Sequence, residues 1–152
     1  MSIGKTSYPY LTEGINVYLP RISRYVPFVY AELPLPKHSA SLPREKLLAE
    51  EAKVFMAQLE ASDMLFLFDE KGREYTSREF FVLLEKQLST AAKNTVFAIG
   101  GAYGFHNSLY ERANGLISLS RMTFSHQMVR VFALEQIYRA FSIMRNEPYH
   151  ND

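Results

Sequence analysis

Thr95-Val96-Phe97-Ala98-Ile99-Gly100-Gly101-Ala102-Tyr103-Gly104-Phe105 is the stretch that decides how this chain folds. Its first five residues are apolar and rich in β-branched and aromatic types, the mark of a buried strand. Three of the chain's seven glycines follow within five positions. Glycine permits positive φ and lets a ligand approach the backbone, so a strand end carrying this cluster predicts a cofactor loop. A tight strand-to-helix turn is the plainer alternative. The order G-G-x-x-G departs from the dinucleotide fingerprint G-x-G-x-x-G, and no Gly-Lys-Ser/Thr ending marks a P-loop.

Two further strand ends repeat the pattern. Leu116 to Leu119 reads as a strand, and it leads into Ser120-Arg121-Met122-Thr123-Phe124-Ser125-His126, where Ser125 is placed to cap the next helix. Met64 to Phe68 reads as another strand, closed by the turn-like Asp69-Glu70-Lys71-Gly72. Three loops at the carboxyl ends of three parallel strands define one crevice, the place where open α/β sheets bind ligands. A fourth strand is expected over Phe28 to Leu33.

Helical patterns alternate with these strands. Arg44 to Ala61, Ser77 to Lys93, His106 to Ala113 and Gln127 to Met144 carry apolar residues at helical spacing. Thr12 to Tyr25 does so too, and Pro20 is expected to kink or split it. The fold class is therefore α/β, with a parallel sheet flanked by helices, in one domain over residues 1–152. Ile3-Gly4-Lys5-Thr6 reads as the end of a first strand with almost no residues of its own. The last predicted helix is apolar nearly all round, which calls for two packing partners and points to a homodimer.

Composition narrows the function classes. With 47% hydrophobic and 22% charged residues the chain matches folded globular proteins, which argues against disorder. There is no cysteine, so disulfides, zinc thiolates and a cysteine nucleophile are excluded. His38, His106, His126 and His150 show no ligand spacing, so no metal is expected. No apolar run nears the roughly 20 residues that span a bilayer, and the expected location is the cytoplasm, with no membrane partner. The 17 basic residues against 16 acidic ones are far from the footprint of a protein that binds nucleic acid by bulk charge.

The C-terminal run Glu135-Gln136-Ile137-Tyr138-Arg139-Ala140 ends in Pro148-Tyr149-His150. Glu135 and Arg139 stand four apart and can pair on one helix face, worth a few tenths of a kcal/mol (~0.3) if exposed. The tail reads either as frayed or as docked into a site.

Taken in order, Ile3-Gly4-Lys5-Thr6, the Ile99-Gly100-Gly101-x-x-Gly104 loop, Leu119-Ser120-x-Met122-Thr123-Phe124-x-His126-Gln127-Met128-x-Arg130, and Glu135-Gln136-x-Tyr138-Arg139-Ala140 with Pro148-Tyr149-His150 resemble the RlmH (YbeA) family. The resemblance runs through essentially the whole chain. It implies a SPOUT-type sheet with a C-terminal trefoil knot, a homodimer, and S-adenosylmethionine as cofactor. The activity it implies is methylation of N3 of a pseudouridine in 23S rRNA, within the ribosome. Carried over, the cofactor positions are Phe68 (leucine in many relatives), Gly100, Leu119, Ser120, Arg121, Met122, Thr123 and Phe124. Loss of the N3 imide proton needs a base or a cation that stabilises the anion. Arg139 is the first candidate for that cation. His126, Tyr149 and His150 are candidates for proton handling or RNA contact, with the base unassigned. Members of that family usually carry about eight mostly apolar residues before Ile-Gly-Lys-Thr, so the first strand is expected to be truncated here. Two rival readings are a nucleotide-dependent oxidoreductase, against which the missing fingerprint tells, and a catalytically inactive, ribosome-associated S-adenosylmethionine-binding protein.

Overall fold

Strand and helix alternate along the computed structural model, which describes residues 1–90 and 92–149. The order is β1 (Ser2–Ile3), α1 (Pro9–Ile22), β2 (Glu32–Leu33), a 3-10 turn (Ser39–Ser41), α2 (Arg44–Met56), β3 (Met64–Glu74), α3 (Ser77–Leu88), β4 (Thr95–Ile99), α4 (Asn107–Arg112), β5 (Gly115–Ser118) and α5 (His126–Met144). All pairings are parallel, in the spatial order β2-β1-β4-β3-β5. No helix among the described residues is long and apolar enough to cross a membrane.

Strand alternation divides the core into two. Leu65 and Leu67 of β3, with Ala98 of β4, pack against Ala52 and Phe55 of α2 and Leu109 of α4. Phe66, Phe68 and Ile99 face the other way, onto Ile15 and Ile22 of α1, Phe80 and Leu84 of α3, and Leu134, Ile137 and Phe141 of α5. Successive side chains on a strand point to opposite faces, so an unbroken apolar run fits a sheet covered on both sides. Each fully buried side chain of this size contributes about 1.5–3 kcal/mol.

Several boundaries differ from the sequence expectation, each for a local reason. The strand expected over 28–33 forms only at Glu32–Leu33, because Ser2 is level with Glu32 and residues 28–30 run past the neighbouring strand. Pro20 does not split α1. It sits in the last turn, where one lost N–H leaves the helix continuous to Ile22. α2 stops at Met56, short of Ala61, and α3 at Leu88, short of Lys93. Beyond α3 the hydroxyls of Ser89 and Thr90 donate to Glu85 and Gln87 carbonyls. α3 is capped by Thr76, with a full capping box to Glu79.

Residues 69–72 are not a terminal turn. β3 continues to Glu74, and Ile117 of β5 is the register partner of both Phe68 and Arg73, so 69–72 form an excursion over β5. A Cβ on Gly72 would come within 2.5 Å of the Ile117 backbone nitrogen, so only glycine permits this approach.

A second tie runs from α5 to the N-terminal turn. Arg130 is fully buried and donates to the Ile3 carbonyl at 2.7 Å, to Thr6 Oγ1 at 2.9 Å and to Glu32 Oε1 at 3.4 Å. Gln127 accepts from the Ser7 N–H at 3.0 Å and donates to the Lys5 carbonyl at 3.3 Å. Removing one partner of a buried charge costs about 3–5 kcal/mol, so this turn is fixed.

Candidate active site

The three loops predicted to form one crevice do so. At the carboxyl ends of β3, β4 and β5 a cavity of about 490 Å³ is lined by residues 68–71, 99–105, 117–120 and 122–126, with Arg44, Tyr110 and Val129. Small-molecule sites span about 300–1,000 Å³. Phe68, Ile99, Ile117 and Leu119 give it an apolar wall.

Its glycine loop is tightly self-packed. A Cβ on Gly100 would lie 2.6 Å from the Gly104 carbonyl oxygen, so the loop's own backbone, before any ligand, demands glycine there. Gly104 adopts φ 80°, and its open side faces the Asp69 carboxylate and the Tyr110 hydroxyl, each 3.7 Å from where a Cβ would stand. Tyr110 donates to Asp69 Oδ2 at 2.7 Å. Burial, and then this bond to the Asp69 carboxylate, push the phenol up to about 12, so it stays a hydrogen-bond donor. Arg44 stacks over the Tyr103 ring at 5.3 Å on the same rim. Asp69 stands in the quoted Phe68–Gly72 stretch, but Tyr110 and Arg44 carry no sequence signal and were missed.

The loop from Leu119 to Ser125 is an arch stitched by hydroxyls. Ser118 donates to the Ser120 carbonyl at 3.0 Å, and Ser120 Oγ accepts from the Met122 N–H at 3.0 Å. Ser125 caps α5, as expected, by accepting from the Met128 N–H. Met122 is 73% exposed and Thr123 and Phe124 also face outward, yet all three border the cavity. Arg121 is the exception among the candidates. Its side chain is 92% exposed, reaches Glu74 at 3.6 Å and does not line the cavity.

His126 borders the cavity at the start of α5. Gln127 has its amide orientation set by Ser7 and Lys5, so its Nε2 donates to His126 Nε2 at 3.2 Å and the imidazole proton sits on Nδ1. Burial, and secondarily the Arg130 charge, hold this histidine below its ordinary pKa, which agrees with a neutral ring.

Arg139 and Tyr149 lie elsewhere. Arg139 stands thirteen positions beyond His126 on α5, about 20 Å along the axis, and neither Arg139 nor Tyr149 lines the cavity. They form a cluster of their own. Arg139 Nε donates to Glu135 Oε1 at 3.0 Å, Tyr149 donates to the same oxygen at 3.2 Å, and the guanidinium lies 4.8 Å from the Tyr149 ring centre. The Glu135 and Arg139 side chains are only 16% and 25% exposed, beyond the regime of a surface pair. The hydrogen bond to Glu135 holds the guanidinium pKa up, while burial and neighbouring Tyr18 and Glu135 raise that of the Tyr149 phenol. The tail is docked as far as Tyr149. His150 lies outside the described residues.

The description of predicted SPOUT methyltransferases matches residues 1–150. The chain belongs to the SPOUT methyltransferase family. Among curated proteins it is 51% identical over 150 residues to "Ribosomal RNA large subunit methyltransferase H" of Cytophaga hutchinsonii, covering 99% of this chain and 96% of that one. Proteins of the same name from Parabacteroides distasonis and Christiangramia forsetii are 45% and 41% identical, covering 99% and 98% of this chain and 96% and 95% of theirs. A SPOUT methyltransferase uses S-adenosylmethionine. The cavity suits such a donor: an apolar wall for a purine, a glycine cradle closed by its own carbonyl, and backbone N–H and C=O groups along Leu119–Phe124.

Proposed function

We propose that this SPOUT methyltransferase, one domain over residues 1–152, methylates N3 of a pseudouridine in 23S rRNA on the assembled ribosome, as a cytoplasmic homodimer. The observation that carries the reading is the three-loop cavity at the carboxyl ends of β3, β4 and β5, in a chain half identical to a protein named for large-subunit rRNA methylation. Phe68, Gly100 and the Leu119–Phe124 arch would hold the cofactor, with Arg121 contributing backbone rather than side chain. Bound there, S-adenosylmethionine supplies a methyl group made electrophilic by its sulfonium.

The chain's own residues divide the remaining work. Arg139, braced by Glu135, is a fixed cation suited to stabilise the imide anion as N3 loses its proton. Tyr149 donates a hydrogen bond to Glu135, which braces Arg139, and is a candidate for RNA contact. His126, with Nε2 accepting a hydrogen bond from Gln127, borders the cavity and is a candidate for proton handling or RNA contact. His150 remains a candidate for RNA contact.

The homodimer reading is supported by the roughly 20 Å between the two groups of residues. A methyl group moves over bonding distance, so the cavity and Arg139 of one chain cannot act on the same base. A partner chain packed across α5 in the opposite sense brings its Arg139 and Tyr149 to this cavity. The half-buried Met128 and Phe132, which belong to neither core cluster, suit such a contact. A C-terminal knot is supported by the 69–72 excursion packed on β5 just before the chain turns into the arch and α5.

The test is methyl transfer from labelled S-adenosylmethionine to three substrates: ribosomes carrying the pseudouridine, ribosomes with uridine at that site, and isolated 23S rRNA. The expected product is a methylated pseudouridine from the first alone. No transfer to any of them, with cofactor binding intact, would leave the inactive binding protein as the reading.

A further inference from the structure

A second cavity, of about 350 Å³, opens where the ends of α1 and α5 meet, lined by Arg21, Arg24, Tyr25, Tyr138, Arg145 and Glu147. Three guanidinium groups share it with one carboxylate. That carboxylate is engaged, since Tyr25 donates to Glu147 Oε2. None of Arg21, Arg24 and Arg145 forms an ion pair among the described residues. Arg21 is instead braced by aromatic faces, 5.9 Å from the Tyr18 ring centre and 5.6 Å from that of Tyr138. Arg24 and Arg145 are exposed.

Three guanidiniums facing one carboxylate leave the hollow with a local excess of positive charge that an entering anion would offset. The chain's net charge of +1 makes the concentration a local feature rather than a product of composition. Planar guanidiniums match phosphate oxygens two at a time, and arginine held on an aromatic face loses little freedom on binding. The cavity also adjoins the catalytic candidates: Tyr138 touches both Arg21 and Tyr149, the latter at 4.7 Å between ring centres, and Tyr149 carries Arg139.

We infer that Arg21, Arg24 and Arg145 bind the phosphates of the RNA strand next to the target nucleotide, holding the backbone while the Arg139–Tyr149 cluster addresses the base. The inference rests on the rRNA reading above. An RNA loop offers one negative charge per nucleotide and unstacked bases for the tyrosines, which a free anion does not.

The probes are intact ribosomes for turnover and an RNA hairpin of the target loop for equilibrium binding, each over a range of salt. Arg24→Gln/Arg145→Gln changes two exposed residues and is expected to fold. Its KM for ribosomes should rise about tenfold or more with the loss on KM rather than kcat, and the log-log salt slope should flatten by about one per arginine removed. Cofactor affinity should be unchanged. Arg24→Lys/Arg145→Lys should restore the slope, which a merely structural role would not predict. Unchanged KM and slope in an active enzyme overturn the inference and leave the proposed function standing. If the wild type transfers no methyl group but binds the hairpin with a salt slope that the glutamine variant flattens, the proposed function falls and the phosphate site stands. Competition by inorganic phosphate at constant ionic strength, with no effect of either variant on RNA binding, assigns the cavity to a free anion and overturns it too.

Discussion

The two ends of α5 are built on different principles. At its start, the cavity is made of backbone: three strand-end loops, a glycine whose neighbouring carbonyl leaves no room for a Cβ, and an arch stitched by serine hydroxyls. At its end, the cluster is made of side chains on a helix face: Glu135, Arg139 and Tyr149, with arginines stacked on tyrosines beside them. A cofactor common to a whole family suits a shape fixed by main chain. Recognition of one nucleotide in one RNA suits side chains that can be exchanged without disturbing the sheet.

The sharpest way to break this division is Arg139→Ala. Turnover on ribosomes should fall about 10²–10³-fold, as when a donor to developing negative charge is removed, with cofactor affinity unchanged by calorimetry. An equal loss of cofactor affinity would mean that the two ends are not separate. Gly100→Val attacks the other end. With a Cβ 2.6 Å from the Gly104 carbonyl the loop must shift, and cofactor affinity should drop about tenfold or more while the Arg139 cluster is intact. Unchanged affinity in a folded Gly100→Val protein would show that the glycine loop does not shape the cofactor site.

Co-expressing these two variants tests whether the ends meet across subunits. A heterodimer would hold one intact cavity facing one intact Arg139, so roughly a quarter of wild-type activity should return from a random mixture. If both ends acted within one chain, nothing would return. The smallest effect concerns His126. Its folded pKa is depressed, so below about pH 6.5 the unfolded chain takes up a proton that the native ring resists, and stability is lost as pH falls. His126→Gln should therefore show a shallower drop in melting temperature between about pH 7.5 and about pH 5.5. An identical drop in both proteins would remove the histidine from the pH response.

The same division explains what was legible in the sequence. β4 was readable to the residue, because Thr95 opens an unbroken apolar run, Val96–Ile99, that glycine follows at once. The cavity loops were readable because backbone demands leave glycine and serine at fixed places. Arg139, Glu135 and Tyr149 were found as motif residues, but their distance from the cavity was not, since spacing along a helix does not say where that helix starts relative to the strand-end loops. That the Arg121 side chain turns away from the cavity toward Glu74 was not legible, because spacing within an irregular loop does not give side-chain direction. The 69–72 excursion read as a turn, for its packing depends on β5, more than forty residues away.

The buried Arg130 has a consequence for how the chain is made. Its hydrogen bond to the Ile3 carbonyl spans 127 residues of sequence, and Ser2 pairs with Ile99. At about 5–20 residues per second, the N-terminal turn emerges from the ribosome roughly 6–25 s before the arginine that will clamp it. Until then β1 can pair with β2 and β4 but the turn after it is unclamped, and closing so long a loop is slow compared with local helix formation. Stalled nascent chains ending before residue 130 should leave the Lys5–Ser7 turn open to protease, and longer ones should protect it. An enzyme proposed to finish ribosomes would itself spend much of its synthesis with its first turn unclamped.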